Sequence, residues 1–140
     1  NHPWAAIFPY LAIQDFVDYE PWNGVRVGRL EPLEASIKRI PIRGDTYSIE
    51  MMQGQQSVFK NREMILNSSY PTILRKLAWN KNGTSFDQKA LKPIDIRVHL
   101  PPGSVRVEVN EESYKESLRE GESLLIPLKK LKNTVRVKKA

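Results

Sequence analysis

The sequence predicts a mostly β fold, an antiparallel β-sandwich of jelly-roll-like type preceded by one N-terminal α-helix. Three observations predict it. From Val25 onward, apolar and polar residues alternate with a period of two. Turn-forming groups recur at roughly 8 to 12 residues, the spacing of sandwiches and barrels rather than of βαβ units. Before Pro21, by contrast, the apolar residues repeat at helical spacing.

The helical stripe consists of Ile7, Phe8, Leu11, Ala12, Phe16 and Val17, widened by Ala5, Ala6 and Ile13. Pro9 places either its start or a kink. Asp15, Asp18 and Glu20 stand at its C-terminal end, where acids oppose the helix dipole, and Pro21 ends it. A helix apolar nearly all round needs cover on more than one side. Together with an opening on Asn1 rather than Met, this divides the chain into residues 1–22, the end of a preceding domain, and residues 23–140, a β-sandwich domain. An uncovered stripe of that size also predicts self-association through the helix.

The strands follow in order. Val25 and Val27 lead off, then Ile37, Ile40 and Ile42, then Tyr47, Ile49 and Met51. Val58-Phe59, Met64-Ile65-Leu66 and Ile73 to Trp79 continue the series. Ile94 to Leu100 and Val105 to Val109 alternate most clearly, and Leu124 to Leu128 and Val135 to Val137 close it. Turns fall at Asn23-Gly24, Arg43-Gly44-Asp45, Gln53-Gly54, Lys60 to Glu63, Asn82-Gly83, Pro101-Pro102-Gly103, Asn110-Glu111 and Glu120-Gly121. Pro41 and Pro127 lie within strands and mark edges or bulges.

Composition narrows the function classes. A chain of 140 residues is one ordinary domain, able to bury roughly two thirds of its unfolded surface. With 40% hydrophobic and 27% charged residues it has the balance of a globular protein. No membrane span is expected, because the longest uncharged apolar stretch, Pro3 to Gln14, falls short of the roughly 20 residues a bilayer demands. That stretch also lacks the basic start and small-residue cleavage site of a signal peptide. The absence of cysteine excludes disulfides and thiolate metal ligands.

No catalytic set, cofactor motif or metal-ligand spacing emerges. The two histidines, His2 and His99, are far apart in sequence, and His99 sits with Asp95 and Arg97 on the polar positions of one strand. The carboxylates cluster at the helix end and in the run from Glu111 to Glu122, where solvation accounts for them. Asn67-Ser68-Ser69 and Asn82-Gly83-Thr84 are glycosylation triplets that matter only in a secreted host. Two ligand-binding sets remain. Trp4, Trp22, Tyr70 and Tyr114 can stack on the apolar face of a sugar ring, whereas Trp79 reads as core. The net charge of +6 is scattered except for Lys129, Lys130, Lys132, Arg136, Lys138 and Lys139, a cluster suited to a polyanion.

A family resemblance rests on two segments. Trp4 to Leu11 followed by Tyr19-Glu20-Pro21-Trp22-Asn23-Gly24-Val25-Arg26-Val27 resembles the junction in (α/α)6-barrel sugar-processing enzymes. In those glycosidases and phosphorylases, of maltose phosphorylase-like or trehalase-like kind, the last barrel helix runs into the first strand of a C-terminal β-sandwich. Val105 to Asn110 and Asn133-Thr134-Val135-Arg136-Val137 are similar to the closing hairpins of such appendages. The resemblance implies a non-catalytic accessory module whose parent carries its carboxylates in the barrel, so no catalytic residue transfers. Its partners would be the upstream catalytic domain and a glycan. The competing expectation is a free-standing basic β-domain that binds a polyanion or a protein. The helix discriminates, since a self-contained domain would bury Ile7, Phe8, Leu11 and Phe16.

Overall fold

A computed structural model describes Ile13, residues 15–22 and residues 24–140 of the chain. The strands in chain order are β1 (Val17–Glu20), β2 (Gly24–Val27), β3 (Ala35–Ile42), β4 (Asp45–Met52), β5 (Gln55–Lys60), β6 (Glu63–Ser68) and β7 (Ile73–Asn80). They continue as β8 (Gly83–Lys89), β9 (Ile94–His99), β10 (Val105–Val109), β11 (Glu112–Ser113), β12 (Leu118–Glu120), β13 (Ser123–Leu128) and β14 (Lys132–Lys139).

These strands form two seven-stranded antiparallel sheets. The first sheet runs β1-β2-β7-β8-β14-β10-β11, and the second runs β12-β13-β9-β6-β5-β4-β3. The inward positions of both contribute to one hydrophobic cluster. Val27, Leu74, Phe86, Val107, Val135 and Val137 come from the first sheet, and Ile49, Met51, Val58, Leu66, Ile96, Val98, Leu124 and Ile126 from the second. Burial of each such side chain contributes about 1.5–3 kcal/mol, which is what holds the sheets face to face in a sandwich-like arrangement.

Hairpin chemistry sets the register. Arg43-Gly44, Gln53-Gly54, Asn61-Arg62 and Asn110-Glu111 all have both central residues at positive φ, as two-residue turns matched to strand twist require. Two of the four place asparagine first, and each asparagine clamps a neighbouring strand. Asn61 Oδ1 accepts from the Thr46 amide at 2.9 Å, and Asn110 Oδ1 accepts from the Thr134 amide at 2.9 Å. Pro41 lies in β3, at the edge of the second sheet, whose pairing with β4 is broken by a bulge between Ile37 and Ile40. Pro127 lies beyond the reach of β12, so its missing N–H costs no ladder bond on that side.

The helix predicted over residues 1–22 is corrected where the chain is described. Val17–Glu20 is a strand, paired with β2 from Val17↔Val27 to Glu20↔Gly24. The physical reason is that Val17 and Tyr19 alternate with Asp18 and Glu20, a period of two that the preceding apolar run disguises as a continuing helix. Of the acids predicted to crowd a helix end, Asp18 and Glu20 are strand residues and Asp15 lies in the turn before them, and Glu20 lies 3.8 Å from Arg26 and 3.6 Å from Arg75. The hairpin of β1 and β2 straddles the expected division at residue 22. Phe16 is buried, with the Arg29 guanidinium 5.3 Å above its ring. Ile7, Phe8 and Leu11, and the self-association expected of them, lie outside the described residues. No helix among the described residues is long and apolar enough to cross a membrane.

Candidate functional site

The four aromatic residues expected to contact sugar do not converge. Trp4 lies outside the described residues. Trp22 projects from the turn between β1 and β2 and is 85% exposed. Tyr114 follows β11, at the opposite edge of the same sheet. With neighbouring strands about 4.8 Å apart, five or so strand spacings separate the two, too far for one binding platform. Tyr70 sits in the β6–β7 connection with Lys92 Nζ 3.9 Å over its ring, so one face is already occupied by a cation. Trp79 is core, as its place in an apolar strand predicts, and its Nε1 donates to the His99 carbonyl at 2.9 Å.

The basic cluster is likewise divided by the fold. Lys132, Arg136 and Lys138 share the outward parity of β14, whereas Lys139 has the opposite parity at the strand end. Lys129 and Lys130 lie in the β13–β14 connection, and Lys129 Nζ is 3.0 Å from Glu116. That hydrogen bond and the Glu116 charge raise the Lys129 pKa. Across the strand pairs, Lys138 meets Arg106 and Lys132 meets Lys89, but Arg136 meets Glu108 and Thr134 meets Asp87. The outer face of the first sheet is therefore cationic with interleaved acids. A groove of 460 Å³ runs over it, lined by Arg75, Asp87, Lys89, Lys132 and Thr134 among others.

The site with the most developed geometry is a cleft of 700 Å³ at one side of the sandwich. It exists because both sheets end there on very short strands, β11 with 2 residues and β12 with 3. The segment joining β11 to β12 crosses from one sheet to the other and leaves the gap open. Val107 and Leu124, inward residues of the two sheets, reach the cleft from the core side. Ser104, Arg106, Tyr114, Lys115, Ser117 and Arg119 line it further out.

Tyr114 is held firmly in that wall. Its hydroxyl donates to the Pro127 carbonyl and lies 3.4 Å from Glu116 Oε2, and its backbone amide donates to Val107 O at 2.8 Å. Burial first, and then the Glu116 charge, raise the phenol pKa, which keeps the hydroxyl protonated and able to donate. The ring thus presents a fixed aromatic surface.

Arg119 is the residue sequence reasoning missed. Its register opposite Leu124 turns it inward, although Leu118 and Glu120 beside it are exposed. Nη2 donates to the carbonyls of Leu100, at 3.3 Å, and Pro101. Nε and Nη1 are withdrawn from solvent and have no hydrogen-bond partner among the described residues. Hydropathy gives no sign of this, because the leucine of the pair faces water and the arginine faces the gap. The polar alternation of Arg97 and His99, in contrast, was legible. His99 has its pKa lowered by burial and by Arg97, against a smaller opposing effect of Glu122.

Among the described residues no group of three or more His, Asp or Glu side chains is placed to hold a metal ion. No family model matches the chain, and no curated protein or solved structure matches it either.

Proposed function

We propose that this chain is a non-catalytic accessory β-domain of a carbohydrate-active enzyme, a jelly-roll-like sandwich that contacts glycan through the cleft at Tyr114. The observation that carries the reading is the combination of a fixed aromatic ring with the hydroxyls of Ser104, Ser113 and Ser117 around one 700 Å³ cleft. An aromatic face matches the apolar face of a sugar ring, hydroxyl groups match its rim, and the volume is in the range of small-ligand sites. The resemblance to the β-appendages of (α/α)6-barrel glycosidases supports the same class and makes an upstream catalytic domain the second partner.

The test is titration of the ¹⁵N-labelled 140-residue chain with a panel of neutral and acidic oligosaccharides. Saturable shifts at Ser104, Tyr114 and Ser117 are expected, and loss of binding in Tyr114→Ala with retention in Tyr114→Phe. A panel that moves none of these resonances rejects the reading. The alternative, a free-standing basic domain for a polyanion, draws on the alignment of Lys132, Arg136 and Lys138 along the outward positions of β14. It predicts shifts along β14, with heparin or DNA, that fade steeply with salt.

A further inference from the structure

We infer that the cleft selects an acidic saccharide, one bearing a carboxylate or sulfate group, and that Arg119 is the residue that makes the choice. The inference rests on the glycan-contacting reading of the same cleft and names its ligand class. Two cationic side chains line the cleft, Lys115 and Arg119, whereas Arg106 and Glu108 border it from β10 with the outward parity of that strand. Among the described residues, neither of these cations has a carboxylate within ion-pair distance, although six ion pairs form elsewhere among them. The charge at the cleft is therefore left uncompensated by the fold.

Arg119 adds direction to that charge. Its only acceptors among the described residues are two neutral carbonyls, those of Leu100 and Pro101, which fix the guanidinium without neutralising it. Its remaining donor atoms, Nε and Nη1, are withdrawn from solvent and have no acceptor among the described residues. A partly buried cation with unmet donors is an unfavourable arrangement that an entering anion relieves, through charge-assisted hydrogen bonds roughly twice as strong as neutral ones. Reaching those donors requires the wall to part slightly beside Lys115, whose side chain is exposed. A neutral sugar would find the same ring and hydroxyls but would leave the arginine as it is. Selectivity for the acid follows from that difference.

The experiment compares trigalacturonate, its neutral methyl ester and a sulfated disaccharide from heparin, each titrated into the ¹⁵N-labelled chain at low and high salt. The acid is expected to bind at the cleft at least tenfold more tightly than the ester, with the advantage shrinking as salt rises. Arg119→Gln should abolish the difference. Because that change also frees the Leu100 and Pro101 carbonyls, Lys115→Gln, on an exposed side chain, serves as a fold-preserving variant and should reduce the acid's advantage severalfold. Binding of the sulfated sugar but not the uronate supports the inference with sulfate as the group. Equal binding of acid and ester, with shifts in the cleft, overturns the inference and leaves the glycan reading standing. Silence of the cleft towards all three sugars overturns both.

Discussion

Asn133 Nδ2 donates to Gln88 Oε1 at 2.7 Å, joining adjacent strands through two buried side chains. The bond is one link of a polar chain that crosses from one sheet to the other. Gln88 Nε2 donates to Thr72 Oγ1 at 3.0 Å, and Gln56 Nε2, on β5 of the other sheet, donates to Thr72 O at 3.0 Å. At the far end Asn110 Nδ2 donates to Asn133 Oδ1 at 3.1 Å. Each amide both gives and receives, so the chain is satisfied without water. A satisfied buried network of this kind fixes register more sharply than apolar packing would.

Asn133→Ala should accordingly be far more damaging than an average surface change. It strips the partner from Gln88 Oε1 and Asn110 Nδ2, and from the Lys130 carbonyl that Asn133 Nδ2 also reaches at 2.8 Å. A loss of about 2–4 kcal/mol is expected, from the cost of leaving buried polar groups unpaired. Urea denaturation of the variant, with unchanged slope and lowered midpoint, checks it. A shift below about 0.5 kcal/mol would mean that the chain is dispensable.

Gly28 lies against the same chain. It adopts φ +90°, and a Cβ there would lie 2.7 Å from Gln56 Nε2 and closer still to the Thr72 carbonyl oxygen. Gly28→Ala combines backbone strain with a collision against backbone, so the expected cost exceeds the roughly 1–2 kcal/mol of left-handed strain alone. Gly44→Ala is the control, since φ is +87° but no atom of the described residues lies within 4 Å of the added carbon. Thermal melts of the two variants should separate clearly, with Gly28→Ala the less stable. Equal melting temperatures would show that the collision is relieved without cost.

The contrast between β8 and β9 explains how far the fold was legible. Ile94, Ile96 and Val98 of β9 announce their inward face, and the strand was readable at once. In β8 the inward residues are Thr84, Phe86 and Gln88, so two of the three look polar, and the sequence pattern predicts no strand there. Gln88 is inward because Asn133 and Thr72, distant in sequence, supply its hydrogen bonds. That information is tertiary and leaves no local mark. The same holds for Arg119, whose inward orientation depends on a three-residue strand pairing, whereas the aromatic character of Tyr114 is written in a single residue.

Phe16 tests where the folding unit starts. It is 4% exposed and hydrogen-bonds through its backbone carbonyl to Gly28 at 2.8 Å. If residues 16–22 are integral to the sandwich, Phe16→Ala should lower stability by about 3–5 kcal/mol, the range for emptying a buried phenylalanine site. Trp22→Ala, at an exposed turn, should change it by less than about 0.5 kcal/mol. Denaturant midpoints measured side by side would reveal whether the two changes differ as expected. A harmless Phe16→Ala would instead detach this segment from the core.

His99 gives the chain a pH dependence whose sign follows from its surroundings. Burial, and then Arg97, lower its pKa from 6.5 in the folded protein, so the native state binds its proton less readily than the unfolded chain does. In the window below 6.5 the unfolded state holds more protons, and stability must rise with pH. The contribution of the neutral imidazole is complete above the unfolded pKa and is lost as pH falls through the folded one. His99→Gln keeps a polar side chain but no titration, so its stability should change less than that of the wild type between acidic and neutral pH. Urea midpoints of both proteins across that window measure the difference directly. Curves that stay parallel would mean that carboxylates, rather than His99, set the acid limb.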